Sequence, residues 1–236
     1  DSNIFKPLPK EEVQQFKNQS IPGAENKFLF FWNNRNARRK QSGSLLWWFK
    51  EFLDTIGHDK ATLLMHTDPK DPHGQDLEAI VRELKLTEGQ VLLSGNKMSP
   101  QDLAKIVNMC DCTINISDAE GFGLSMLESI SCGTPIIATV TGGMQDQIFT
   151  DIGKPCGIPL FPSSKAIIGS QDVPYIYEDR LNGEQVVDAM LEMYSKSKEE
   201  LETLGKMGIE HVERNFSFEN YKKRWIEIIE NTIEKH

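Results

Sequence analysis

The sequence is sparing with cysteine, histidine and basic charge, and each shortage excludes something. There are four cysteines, at 110, 112, 132 and 156, and they form neither a CxxC pair nor any spacing suited to zinc. Three lie in apolar segments, which predicts reduced core thiols in a cytoplasmic protein. Lys and Arg number 26 against 35 Asp and Glu, for a formal net charge of −9. A general nucleic-acid binder would need a basic stripe, so no nucleic acid is expected as a partner. No apolar run approaches the ~20 residues that span a bilayer. No signal peptide is expected, and residues 1–236 show no Walker motif, GxSxG elbow or internal repeat. Sequons at Asn18, Asn115 and Asn215 would suggest secretion, but Asn115 falls in a predicted core strand, and the three read as chance.

What remains is ordinary globular composition, with 39% apolar and 8% aromatic residues in a chain of 236. Such a chain buries roughly 70% of its unfolded surface, enough for one large domain or two small ones. It opens not on Met but on Asp1-Ser2-Asn3-Ile4-Phe5, and the opening is expected to be a cut end.

Residues 1–25 are polar, with Pro7, Pro9, Pro22 and Gly23, and are expected to form a linker with one helical turn. From 27 to 140, short apolar runs alternate with amphipathic segments. Strands are predicted at 27–33, 61–65, 90–93, 112–116 and 135–139. Helices are predicted at 44–56, 76–84, 100–110 and 123–132, with Ser99 and Pro100 a strong helix start. This alternation implies an α/β fold: a Rossmann-like parallel sheet with helices on both faces. Residues 150–180 are predicted to be irregular, and two or three amphipathic helices are expected from 183 to 236.

Ligands of open parallel sheets bind beyond the carboxyl ends of the strands. The first such loop carries Arg35, Arg38, Arg39 and Lys40, suited to a phosphate or diphosphate; alone, it could equally be a solvated basic turn. The fourth strand is followed by Asp118-Ala119-Glu120-Gly121-Phe122-Gly123-Leu124, with Glu128 further on. Its glycines permit close backbone approach, and the amides of Phe122 to Leu124 open a helix that can receive an anion. A dinucleotide fingerprint fails here, because Met126 stands where the third glycine belongs. The fifth strand runs into Thr141-Gly142-Gly143, again suggesting close approach to a ligand, or else a plain turn. Asp118 with Glu120, and Asp68 and Asp71 with His73, are oxygen-rich enough to consider for a divalent ion.

Taken together, these loops resemble the donor-binding domain of family-4 retaining glycosyltransferases, which have the two-Rossmann (GT-B) fold. The resemblance rests on Glu120 and Glu128 enclosing Gly-Phe-Gly-Leu, on Arg35 and Lys40 at a five-residue offset, and on Cys132-Gly133-Thr134-Pro135-Ile136-Ile137-Ala138. Gly142-Gly143 and Phe216-Ser217-Phe218-Glu219 extend it, and Asp1-x-x-x-Phe5-x-Pro7 is similar to the family's interdomain linker. It implies that residues 1–25 are a linker remnant and 26–236 a nucleotide-sugar-binding domain, the N-terminal acceptor domain being absent.

By position, the resemblance implies that Arg35 and Lys40 hold the diphosphate and that Glu120 meets the donor sugar. Gly121, Phe122, Gly123 and Leu124 would support sugar and phosphates, and Glu128 the ribose. Lys97 and Met98 would lie at the base, and Thr141, Gly142 and Gly143 would border the sugar. It further implies a UDP- or GDP-sugar donor, a carbohydrate or other hydroxyl acceptor, no metal and no other cofactor, and weak or absent transfer by this chain alone. It also leaves room for peripheral membrane association of the full-length enzyme. Asn34 departs from the glycine common before the arginine, and Asp146 from the glutamate usual after the glycine pair. Two alternatives are another GT-B enzyme, such as a sugar-nucleotide epimerase or phosphorylase, and a flavodoxin-like regulatory module.

Overall fold

The computed structural model describes residues 2–234; Asp1, the head of the predicted linker signature, lies outside them. In chain order the first elements are α1 (Lys10–Ser20), β1 (Phe28–Asn33), a 3-10 turn (Arg38–Lys40), α2 (Ser42–Ile56), β2 (Ala61–His66) and α3 (Leu77–Glu83). Next come β3 (Val91–Ser94), α4 (Pro100–Met109), β4 (Cys112–Asn115), α5 (Leu124–Ser131), β5 (Ile136–Thr139), α6 (Met144–Ile148) and β6 (Gly157–Leu160). A hairpin of β7 (Ser164–Ile167) and β8 (Tyr177–Arg180) precedes α7 (Gly183–Ser195), α8 (Lys198–Asn215) and α9 (Phe218–Glu234).

Six strands form one parallel sheet in the order β3-β2-β1-β4-β5-β6. The order reverses between β1 and β4, and open α/β sheets take their ligands beyond the carboxyl ends of the strands at such a point. Side chains alternate across β1. Phe30 and Trp32 face a core shared with α2, α3 and α7, while Leu29 and Phe31 face a second core with α4. Phe30 meets Phe52 edge-on at 5.5 Å between centroids, a geometry worth about 1 kcal/mol beyond burial. The four cysteines are buried and unpaired.

Local chemistry accounts for the helix ends. The Ser99 hydroxyl accepts from the Asp102 amide at 3.1 Å with Pro100 beside it, and Asp76 caps α3 in the same way. Gly57 closes α2 at φ 105°, where a side chain would be strained. Ser197 and Glu200 form a reciprocal capping box on α8.

Two expectations need correction. Residues 1–25 hold a helix of 11 residues rather than one turn. Phe5, Val13, Phe16, Ile21 and Ala24 pack against the α4 side of the sheet, and that burial stabilises a polar helix which propensity alone would not hold. Residues 150–180 are not irregular. They contain β6, which completes the sheet, and the antiparallel β7–β8 hairpin, with Ala166 opposite Glu178. Three helices follow. The last, α9, buries none of its residues and leaves Tyr221, Trp225 and Ile229 exposed. No helix among the described residues is long and apolar enough to cross a membrane.

Candidate functional site

The site grows from the loop after β1. Asn36 is fully buried there; its carbonyl accepts from the Ser42 hydroxyl at 2.8 Å, and its amide donates to the Gln75 carbonyl at 2.7 Å. The 67–75 loop is thereby docked on the basic loop, so closely that a Cβ on Gly74 would overlap Asn36. The chain then makes its 3-10 turn, and Gln41 closes it at φ 56°, a left-handed conformation that costs a non-glycine residue about 1 kcal/mol. Asn34 keeps its side-chain nitrogen buried without a hydrogen-bond partner among the described residues.

Each cation of this loop has an acceptor. Arg35 donates to Asp71 through Nε at 2.6 Å and Nη2 at 3.2 Å, and Nη2 lies 2.8 Å from His73 Nδ1. The guanidinium holds the Asp71 carboxyl well below the usual carboxylate range, helped by the His73 amide. Arg38 donates end-on to Glu178 at 2.9 and 2.7 Å. Arg39 donates to the Ala119 carbonyl at 2.8 Å. The Lys40 ammonium lies directly on the Glu120 carboxylate, with only 7% and 9% of the two side chains exposed. The structure thus joins Lys40 to Glu120 and turns Arg35 toward the neighbouring loop.

Glu120 arrives from the loop after β4. Asn115, the last residue of that strand, donates to it at 3.2 Å, and Arg39 stands 3.6 Å away. Burial pushes the Glu120 carboxyl up, but Lys40, Asn115 and Arg39 outweigh burial and hold it below its ordinary value. Burial lowers the Lys40 ammonium against the pull of Glu120. Taking two charges out of water costs several kcal/mol per ion, so a buried pair of this kind is weak evidence for stability. Asp118, buried beside it, accepts from Gln41 at 2.7 Å and Arg180 at 2.6 Å. Burial raises its carboxyl against both donors.

Gly142 and Gly143 have a structural reason. A Cβ on Gly142 would overlap the Glu120 carbonyl oxygen, and one on Gly143 would stand 2.8 Å from the Phe122 oxygen. The Gly143 amide donates to Gly121 at 2.8 Å, and Gln147 donates to the Phe122 carbonyl. The protein's own backbone thus packs closely on both glycines. Gly123 adopts φ 84° and starts α5, whose N terminus has no side-chain cap; free amides at a helix start receive anions. Phe122 and Leu124 are exposed at this mouth.

Glu128 lies one turn into α5, half-buried, and its backbone carbonyl accepts from the Cys132 amide at 3.2 Å. Burial pushes its carboxyl up. Thr141 is buried two residues beyond β5. Lys97 is exposed and Met98 half-buried beyond β3, with β2 and β1 between that strand and β4. Of the carboxylates considered for a metal, Asp71, Glu120 and Asp118 are engaged with cations and Asp68 accepts from the Lys70 amide at 2.9 Å; no group of three or more metal-ligating side chains forms among the described residues.

Sequence reasoning missed Glu178 and Arg180. Both project from β8 toward Arg38 and Asp118, and they sit two apart as one face of a strand requires. Their spacing was a usable signal only once 177–180 was read as a strand.

Residues 14–155 match the family described as glycosyl transferases group 1. A curated relative, N-acetyl-alpha-D-glucosaminyl L-malate synthase of Bacillus anthracis, is 25% identical over 194 residues, 80% of this chain and 47% of its own length. A sucrose-phosphate synthase structure from Thermosynechococcus elongatus superposes with a TM-score of 0.75 at 20% identity, over all of this chain and 51% of that one. An Anabaena protein solved with UDP-glucose gives 0.73 at 15% identity, over 98% and 55%. The fold is one half of a GT-B architecture, and the chain spans about half the length of the curated relative it matches.

Proposed function

This chain belongs to the glycosyl transferases group 1 family, and from that premise we propose that it is the donor-binding half of a retaining glycosyltransferase. The donor is a nucleoside diphosphate sugar, UDP- or GDP-linked. One observation carries the reading: Lys40 and Glu120, 80 residues apart, meet at the point where the sheet order reverses, beside an uncapped helix start. A cation, a carboxylate and free amides there suit a diphosphate joined to a polyhydroxy ring. The Anabaena structure with UDP-glucose supports the same donor class.

In the proposed reaction the bond between the anomeric carbon and the diphosphate oxygen breaks. Lys40 and Arg35 stabilise the charge that develops on the leaving group, without a metal. The acceptor hydroxyl attacks from the same face and passes its proton to the departing phosphate. Glu120 steadies the sugar near its anomeric carbon, and Glu128 accepts from the ribose hydroxyls. Lys97 and Met98 border the base, and Thr141 the sugar. Binding of the acceptor, a carbohydrate or other hydroxyl compound, falls to an N-terminal domain outside this chain, as the half-length match to its relatives suggests. Four buried thiols suit a reducing, cytoplasmic setting.

Calorimetric titration with UDP, GDP, ADP and their common sugar conjugates, with and without magnesium, tests this. Selective binding of one diphosphate, unchanged by magnesium and lost in Arg35→Ala, Lys40→Ala and Glu128→Ala, is expected. Absence of binding across the panel would overturn the donor assignment.

A further inference from the structure

The β7–β8 hairpin is fastened to the site by charge. The Asp118 amide donates to the Arg39 carbonyl at 2.8 Å, and the Asp179 amide donates to the Asp118 carbonyl at 2.9 Å. The basic turn, the loop after β4 and β8 are therefore linked through their backbones. Side chains repeat the link. Arg38 grips Glu178 end-on at 2.9 and 2.7 Å, and Arg180 reaches Asp118 at 2.6 Å and Glu178 at 3.0 Å. Glu178 and Asp118 are both buried, at 4% and 3% exposure. Two buried carboxylates are thus each met by guanidinium groups that themselves reach solvent, Arg38 at 59% and Arg180 at 27% exposure.

The outward side of the hairpin is different. Tyr177 and Ile167 are largely exposed, and β7 has no buried residue. The inward face of β8 is thus given over to this cluster. Lys40 follows Arg38 by two residues on the turn, and Glu120 follows Asp118 by two on the loop. The cluster fixes the backbone that carries both groups.

We infer that Glu178 is a positioning residue of the donor site: by holding Arg38 it sets Lys40 opposite Glu120. The inference rests on the reading that this site binds a nucleoside diphosphate. Its specific content is that a hairpin more than a hundred residues away in sequence tunes phosphate recognition.

The test compares the parent chain with Glu178→Ala, Arg38→Ala and the double variant. Each is titrated with whichever of UDP, GDP and ADP the parent binds best, and with the matching monophosphate. Thermal unfolding of each variant runs alongside. A merely structural brace would weaken both nucleotides together. A positioning role lowers the preference for diphosphate over monophosphate, by about tenfold in either single variant and by no more in the double. An unchanged preference overturns the inference, and so does a raised one, which would make the released Arg38 a phosphate ligand in its own right. If the alanine variant does not fold, Glu178→Gln keeps the shape and one acceptor; a preference equal to the parent's in that variant is equally fatal. A parent chain that binds no diphosphate sinks the functional reading itself, a result distinct from all the others.

Discussion

Replacing Lys40 by Met isolates the ion pair at the heart of the site. Met keeps most of the unbranched stem and removes the charge. The Lys40 and Glu120 side chains are 7% and 9% exposed, so the carboxylate left behind stays out of water. Removing one partner of a buried pair costs about 3–5 kcal/mol when nothing compensates. Here Asn115 at 3.2 Å and Arg39 at 3.6 Å still face Glu120, so about 2–3 kcal/mol is expected near neutral pH. For a domain of this size that lowers Tm by roughly 5–10 °C. The pH dependence carries the sign. In the parent, Glu120 sits below its ordinary value, so its contribution is present above the unfolded pKa and lost as pH falls through the folded one. In Lys40→Met, burial dominates and raises Glu120. That variant loses stability as pH rises through the raised value and recovers it on protonation. The Tm gap between parent and variant should therefore be widest near pH 7 and narrow toward pH 4, as followed by calorimetry or circular dichroism. A gap that is flat with pH, or smaller than about 1 °C, would refute the reasoning.

Gly142→Ala places a Cβ on the Glu120 carbonyl at φ 50°; a loss of about 2–4 kcal/mol and at least tenfold weaker diphosphate binding should appear together in thermal and titration data. Glu128→Gln removes a charge that burial disfavours, so Tm should hold or rise by a degree or two near pH 7 and not near pH 4, where the parent carboxyl is already neutral. The same variant should bind ribonucleotides about tenfold more weakly and lose the parent's discrimination against 2′,3′-dideoxynucleotides. Ser197→Ala breaks the capping box of α8; about 1 kcal/mol and a few degrees of Tm should be lost with nucleotide affinity untouched.

The parallel sheet was legible because its strands are short apolar runs separated by helices with clear ends. Phe28–Asn33 and Ala61–His66 are buried on both faces and leave no other reading. The two loops that meet at the reversal of strand order were also visible, one by its bases and the other by Glu120 and its glycines. What stayed hidden is partner choice. Arg35 and Lys40 look like one clamp in sequence, yet one pairs with Asp71 and the other with Glu120. That outcome depends on how the 67–75 loop docks on Asn36, which no local pattern encodes. The β7–β8 hairpin was invisible for a related reason: it is short and exposed on one side, and it depends on Glu178 finding Arg38 140 residues away. The polar α1 likewise forms because Val13 and Phe16 find a surface to cover.

The sheet has a narrow waist. β1 and β2 are in register from Phe28 to Asn33, whereas β1 and β4 face each other at Phe30 with Cys112 and Phe31 with Thr113. The halves on either side of that seam are held together above it by Lys40 with Glu120 and by Arg39 with Asp118. A ligand seated above that seam would touch both halves at once and act as a staple across it. Amide hydrogen exchange should then slow on β1 and β4 in step, as two units that open separately become one cooperative body. Occupancy at that seam would then be felt as rigidity along the whole sheet.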